Sequence, residues 1–161
     1  DLHLSRGLGD VYKRQAILNI ESVERCISKK TKAVLIVHLF GQMKDMTNWV
    51  TFCNSNNLLL FEDCAQSHRA TEGGLHGGSF GITGSYSFYP TKNLGAIGDA
   101  GAIVTNNSEI ADFAKKLRNY GQSERYVHPE IGMNSRLDEI QASILQAKLK
   151  WLEIFLSLIH I

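Results

Sequence analysis

The amino-acid sequence predicts an α/β fold built on a mixed, mostly parallel sheet with helices on its faces. Three observations lead there. Four short apolar runs rich in β-branched and aromatic residues, at 33–38, 58–62, 85–89 and 102–105, read as strands. Between the first two, Met46, Val50 and Cys53 recur at helical spacing within residues 46–53. Strand, helix, strand over such a distance makes a βαβ unit, which joins parallel neighbours in one sheet.

The remaining elements follow in order. Asp45 or Thr47 offers a cap to the helix at 46–53. A clearer helix spans 108–119: Ser108 can cap it, and Ile110, Ala111, Ala114 and Leu117 share one face. Lys115, Lys116 and Arg118 suit the negative end of its dipole. The last helix, 137–155, begins near Asp138-Glu139 and carries apolar Ile140, Ile144, Leu145, Ala147 and Leu149. Neither end fits this pattern. Residues 1–15 hold no helical or strand period and read as a non-native or disordered leader. Residues 154–161 read as a non-native tail, which leaves 16–153 as the domain; frayed termini are the plainer alternative.

Composition narrows the function classes. A chain of 161 residues, 43% hydrophobic and 20% charged, has the make-up of one folded domain. With 17 Lys+Arg against 16 Asp+Glu and no basic stripe, nothing electrostatic points to nucleic acid. No apolar run reaches the ~18 residues of a membrane helix, and residues 151–161 carry Glu153 and His160. The start, Asp1-Leu2-His3-Leu4-Ser5, lacks the basic and apolar regions of a signal peptide. The cysteines, Cys26, Cys53 and Cys64, are odd in number and scattered, so a reducing, cytoplasmic setting is expected.

Asp63 closes the run Leu58-Leu59-Leu60-Phe61-Glu62 and so belongs at the C-terminal tip of a strand, where open α/β sheets bind ligands. A turn or N-cap role accounts for a lone Asp there equally well. Glu62 alternates to the other face and reads as structural. Lys92 follows Ser85-Tyr86-Ser87-Phe88-Tyr89-Pro90-Thr91 and precedes Asn93-Leu94-Gly95-Ala96-Ile97-Gly98. A lysine set among Tyr, Phe, Leu and Ile is expected to be desolvated, which frees its amine as a nucleophile; an ordinary surface charge is the bland alternative. The glycine runs at 73–81 and 95–101 match neither a P-loop nor a dinucleotide fingerprint and read as tight turns. Cys64 and His68 sit at i, i+4 spacing but lack the further ligands a metal needs. An acid at a strand tip, a lysine on a later loop and a serine five residues before it suggest pyridoxal phosphate, which needs an imine lysine, an acid for its pyridine nitrogen and donors for its phosphate.

Longer motifs go further. Glu62-Asp63-Cys64-Ala65-Gln66-Ser67-His68, Gly78-Ser79-Phe80-Gly81 and Ser87-Phe88-Tyr89-Pro90-Thr91-Lys92-Asn93-Leu94-Gly95 resemble the DegT/DnrJ/EryC1/StrS aminotransferases. So do Gly98-Asp99-Ala100-Gly101-Ala102, Leu117-Arg118-Asn119-Tyr120-Gly121 and the run from Gly132-Met133-Asn134-Ser135-Arg136 to Ala142. The resemblance covers about 16–153 and implies part of an aspartate-aminotransferase-like large domain (fold type I). It implies pyridoxal 5'-phosphate as cofactor, L-glutamate and a nucleoside-diphosphate keto-sugar as substrates, and a homodimer. Position by position, it makes Lys92 the Schiff-base lysine, Asp63 the partner of the pyridinium nitrogen and Gln66 the ligand of the phenolic oxygen. Ser87 matches a phosphate-binding hydroxyl and Asn134 a phosphate ligand supplied by the neighbouring subunit. Tyr89 and His128 are expected to face the sugar.

Two departures accompany the resemblance. Arg69 stands where the family has Gly after His68, and a site needing positive φ would strain it. The chain is also short, without the upstream phosphate turn, the ring-stacking aromatic and the small domain. A non-catalytic fragment that at most binds cofactor is therefore a rival reading. A sugar dehydratase of the same family is another, and Lys92, where such relatives carry His, argues against it.

Overall fold

The computed structural model describes residues 18–43 and 45–159, and the expected leader lies outside them. The chain divides into two compact units, the first ending at Tyr86 and the second beginning at Ser87.

In the first unit a short helix α1 (Ile20–Glu24), capped by Asn19, precedes strand β1 (Ala33–Val37). A tight 3-10 turn, Leu39–Gly41, leads to helix α2 (Met46–Ser55) and then strand β2 (Leu59–Asp63). A two-residue hairpin, β3 (Thr71–Glu72) with β4 (Leu75–His76), separates β2 from β5 (Thr83–Ser87). β2 pairs in parallel with β1, from Ala33 opposite Leu59 to Val37 opposite Asp63. It also pairs in parallel with β5, where Asp63 lies opposite Ser85. The expected βαβ unit is present. Val34, Ile36, Met46, Trp49, Cys53, Leu58 and Leu60 form the core between α2 and the sheet.

The second unit carries β6 (Gly101–Val104), α3 (Ser108–Leu117), α4 (Glu139–Leu149) and α5 (Leu152–Ile159). Its smaller core gathers Leu94, Ala96, Leu145 and Leu152, with Phe88, Ala100, Leu137 and Leu156 against them. Gly121 has φ 70, and a Cβ there would collide with the Glu130 carbonyl, so the loop after α3 closes only on glycine.

Several expectations need correction. The third strand begins and ends two residues earlier than the apolar run, and a turn follows it in which the Lys92 N–H bonds the Tyr89 carbonyl at 2.8 Å. Asp45 occupies the N-cap of α2 at φ 56 without a side-chain bond. The Glu72 carboxylate instead accepts the Met46 N–H at 2.7 Å. Asn107, not Ser108, caps α3 by accepting from the N–H groups of Glu109 and Ile110. The single helix expected over 137–155 is two, divided by a tight turn in which Trp151 N–H bonds the Lys148 carbonyl at 2.9 Å. Only Leu145 of the expected α4 stripe is buried, while Ile140 and Leu149 are exposed. Residues 154–159 of the expected tail are helical, within α5.

Arg69 takes φ 69, the left-handed region, so the residue change noted above falls where glycine costs least. Replacing Arg69 by Gly is expected to give a chain about 1 kcal/mol more stable than replacing it by Ala, since both remove the same side chain. Urea denaturation of the two variants measures this, and equal midpoints would show that the turn carries no strain.

Candidate active site

The floor of the first unit is a buried carboxylate. Glu62 is 1% exposed and lies on β2 with its side chain on the face opposite Asp63. Its Oε2 accepts from His38 Nε2 at 2.9 Å and from the Gly78 N–H at 2.8 Å. Its Oε1 accepts from the N–H groups of Phe80 at 2.9 Å and Gly81 at 2.6 Å. Burial by itself raises this carboxyl's pKa, but the His38 bond and the Gly81, Gly78 and Phe80 N–H groups outweigh it and hold the group below its ordinary value. The glycines at 78–81 are therefore more than turn formers. A Cβ on Gly81 would lie 2.5 Å from the Leu60 carbonyl, so only glycine lets the loop come this close.

His38, Glu62 and Cys64 place their ligand atoms within 4.8 Å of one another. The four acceptor positions of Glu62 are already taken, and burial, the largest cause, pushes the Cys64 thiol up to about 11. The cluster is a hydrogen-bonded core.

At the tip of β2 the half-buried Asp63 accepts the Ala65 N–H through Oδ1 at 2.9 Å, a local turn bond. Its second oxygen has no partner among the described residues. Three residues on, Gln66 Oε1 accepts the Phe40 N–H at 3.0 Å. Asp63 and Gln66 thus share one turn.

In the second unit, Ser87 ends β5, and Tyr89 and Lys92 lie on the loop that follows it. Ser87 Oγ accepts the Tyr89 N–H at 3.3 Å, which leaves its hydroxyl proton to donate. Lys92 is half-buried rather than enclosed: Leu94 and Ala96 are buried, but Tyr89 and Ile97 face outward. Its amine makes no hydrogen bond or ion pair among the described residues. The loop is held by α4, where Gln141 Oε1 accepts the Ile97 N–H at 3.0 Å and Lys148 Nζ donates to the Gly95 carbonyl at 2.6 Å. Sequence reading missed both contacts; each comes from a polar residue inside an apparently apolar helix.

His128 and Asn134 are exposed on the loop after α3 and lie against the end of that helix. His128 Nδ1 is 3.0 Å from the Tyr120 carbonyl, and Asn134 bridges to Asn119. Arg136 Nε donates to Asn134 Oδ1 at 3.2 Å, with its guanidinium 5.7 Å from the Tyr120 ring.

The sequence profile of the DegT/DnrJ/EryC1/StrS aminotransferases matches residues 8–158. The chain belongs to this family. It is 44% identical over 149 residues to a dTDP-3-amino-3,4,6-trideoxy-alpha-D-glucose transaminase of Micromonospora megalomicea subsp. nigra, covering 92% of the chain and 40% of that relative. The structure of S. venezuelae DesV in complex with a ketimine intermediate superposes with a TM-score of 0.81 at 42% identity, over 86% of this chain and 37% of that one. NtdA from Bacillus subtilis, solved with bound PMP, gives 0.75 at 30% identity, over 85% and 31%. The chain thus spans well under half of these relatives. Its fold is that of the fold type I aminotransferases, whose family members depend on pyridoxal phosphate.

Taken by itself, each unit carries groups of the kind that cofactor needs: in the first, Asp63 keeps an acceptor oxygen and Gln66 its N–H donors; in the second, Ser87 keeps a hydroxyl proton and Lys92 an amine without a partner among the described residues.

Glu62→Gln is expected to destabilise the chain by about 3 kcal/mol at neutral pH, because an amide NH2 meets backbone donors. Since the folded-state value is depressed, Glu62's contribution is full above its ordinary 4.5 and is lost as pH falls through the lower folded value. Urea midpoints measured from neutral to acid pH should fall less steeply in the variant, and parallel curves would remove Glu62 from the acid transition.

Proposed function

We propose that the protein containing this chain is a transaminase that moves an amino group from L-glutamate to a nucleoside-diphosphate-linked keto-sugar, with pyridoxal 5'-phosphate as cofactor. The observation that carries this is the unengaged Lys92 amine on a loop that α4 fastens at Gly95 and Ile97. The sugar-nucleotide transaminase of Micromonospora megalomicea supports the acceptor class. A homodimer, in which Asn134 serves the neighbouring subunit, and a cytoplasmic setting belong to the same reading. The free cysteines Cys26, Cys53 and Cys64 suit the latter, and among the described residues no helix is long and apolar enough to cross a membrane.

Pyridoxal phosphate, when bound, supplies the electron sink that lets a Cα–H bond of the donor ionise. Lys92 would hold the cofactor covalently and, once displaced by the donor amine, take the Cα proton on Nζ. Asp63 would pair its carboxylate with the pyridine nitrogen and so favour that nitrogen's protonated form. Gln66 would donate to the phenolic oxygen, while Ser87 and Asn134 would hold the phosphate. Tyr89 and His128 stand toward the sugar. Donor and acceptor visit the site in turn, which predicts ping-pong kinetics.

Borohydride reduction of the full-length holoprotein should leave the cofactor on Lys92 in peptide maps, and Lys92→Ala should abolish amino transfer. Label on another lysine would refute the assignment. In the same protein Asp63→Asn keeps size and removes charge. It is expected to slow single-turnover proton transfer by ~10²-fold, about 2.7 kcal/mol, with cofactor still bound. An unchanged rate would reduce Asp63 to a turn residue.

A further inference from the structure

We infer that the turn Leu39–Gly41, locked by the buried His38–Glu62 pair, is a positioning device that sets which way the Gln66 amide points. Its geometry is independent of the function proposed above; its consequence for the cofactor rests on that reading of Gln66. A carboxamide can present either its oxygen or its NH2 to a neighbour, and the two are nearly isosteric. A backbone N–H can only donate. The Phe40 N–H, 3.0 Å from Gln66, therefore holds the amide oxygen and turns both N–H groups of Gln66 away from the turn.

The backbone of that turn is strained to do so. Phe40 has φ 55 and ψ 25, a left-handed conformation that costs any residue with a Cβ. The residue is 74% exposed, so core packing does not offset the cost. What the conformation delivers is the N–H aimed at Gln66. Contacts on the His38 side hold it there. The His38 N–H donates to the Asp63 carbonyl at 3.0 Å, and the Gly41 N–H donates to the His38 carbonyl at 3.2 Å. The His38 ring, 1% exposed, bonds Glu62 at 2.9 Å, and the Gly78, Phe80 and Gly81 N–H groups anchor Glu62 in turn. A continuous path thus runs from the glycine loop through Glu62 and His38 to the Gln66 amide. Gln66 so held turns its N–H donors rather than its oxygen away from the turn, which suits an ionised phenolic oxygen and disfavours a protonated one. His38 and Glu62 act through Gln66 and are positioning residues.

Two measurements test this. In the isotope-labelled full chain without cofactor, a long-range HNCO spectrum should show a coupling from the Phe40 nitrogen to the Gln66 Cδ carbon. Hydrogen exchange at the Phe40 amide should accelerate by at least about tenfold in Gln66→Ala and in His38→Ala, and little in Gln66→Glu, whose carboxylate still accepts. If His38→Ala loses its dispersed spectrum, His38→Gln, which keeps a side-chain donor for Glu62, should retain both the fold and the Phe40 protection. In the full-length holoprotein, the pH midpoint of the cofactor absorbance should rise by about one unit in Gln66→Glu and shift the same way, by less, in His38→Ala. Absence of the coupling, or Phe40 exchange indifferent to Gln66→Ala, would overturn the positioning device itself. A preserved coupling with an unmoved midpoint in Gln66→Glu would instead overturn the assignment of Gln66 to the phenolic oxygen.

Discussion

A carboxylate buried in the interior survives only where donors replace the water it gave up, and Glu62 has four of them. Those donors come from two separated stretches: His38 just after β1, and Gly78, Phe80 and Gly81 in the loop before β5. Glu62 lies on β2, between the strands those stretches border. An apolar residue at this position would bury more easily, but it would leave three backbone N–H groups and an imidazole without partners. Removing the charge is therefore expensive even though keeping it is not obviously stabilising. What the arrangement contributes is definition. It sets how far the loop comes in, where the end of β1 stops, and how the segment after β2 leaves the sheet.

That definition was only partly visible in the sequence. The strands, the βαβ unit and the place of Asp63 at a strand tip follow from apolar patterning, which reports burial well. The family motifs add Lys92, Asp63, Gln66, Ser87 and Asn134 as the residues expected at the cofactor. The donors to Glu62 escaped because three of them are backbone groups, which carry no side-chain signature. The glycines at 78–81 were the available signal, and their reading as turns was incomplete: Gly81 is there because the Leu60 carbonyl leaves no room for a Cβ. The caps failed for a different reason. Asn107 and Ser108 are both good caps, and the choice between them depends on where the extended chain ends at Asn107, which propensity does not resolve.

The Lys92 loop shows the same limit from another direction. The expectation of an enclosed lysine came from counting apolar neighbours in sequence, yet those neighbours divide between core and surface. Leu94 and Ala96 go in; Tyr89 and Ile97 do not. The loop is held by two polar side chains of α4, Gln141 and Lys148, bonding backbone groups about fifty residues away. An apolar stripe predicts which face of a helix packs. It says nothing of which polar residue on the margin of that face reaches a loop's backbone, and here those marginal contacts, with the small core around Leu145, hold the loop that carries Lys92.

Consecutive acids on one strand make the division of labour plain. Strand alternation sends Glu62 to the interior and Asp63 to the other face, so the same two residues of β2 experience opposite environments. Glu62 spends every lone pair on the fold, whereas Asp63 spends one on a local turn and keeps the other oxygen. Gln66 follows the same logic: its oxygen is committed to Phe40 and its nitrogen is not. In each case the group offered to a ligand is the remainder after the fold has taken its share. A one-residue slip of β2 would turn each acid to the opposite face and take Glu62 out of its cradle. The cradle around Glu62 opposes that slip, because its four donors would lose the carboxylate they hold.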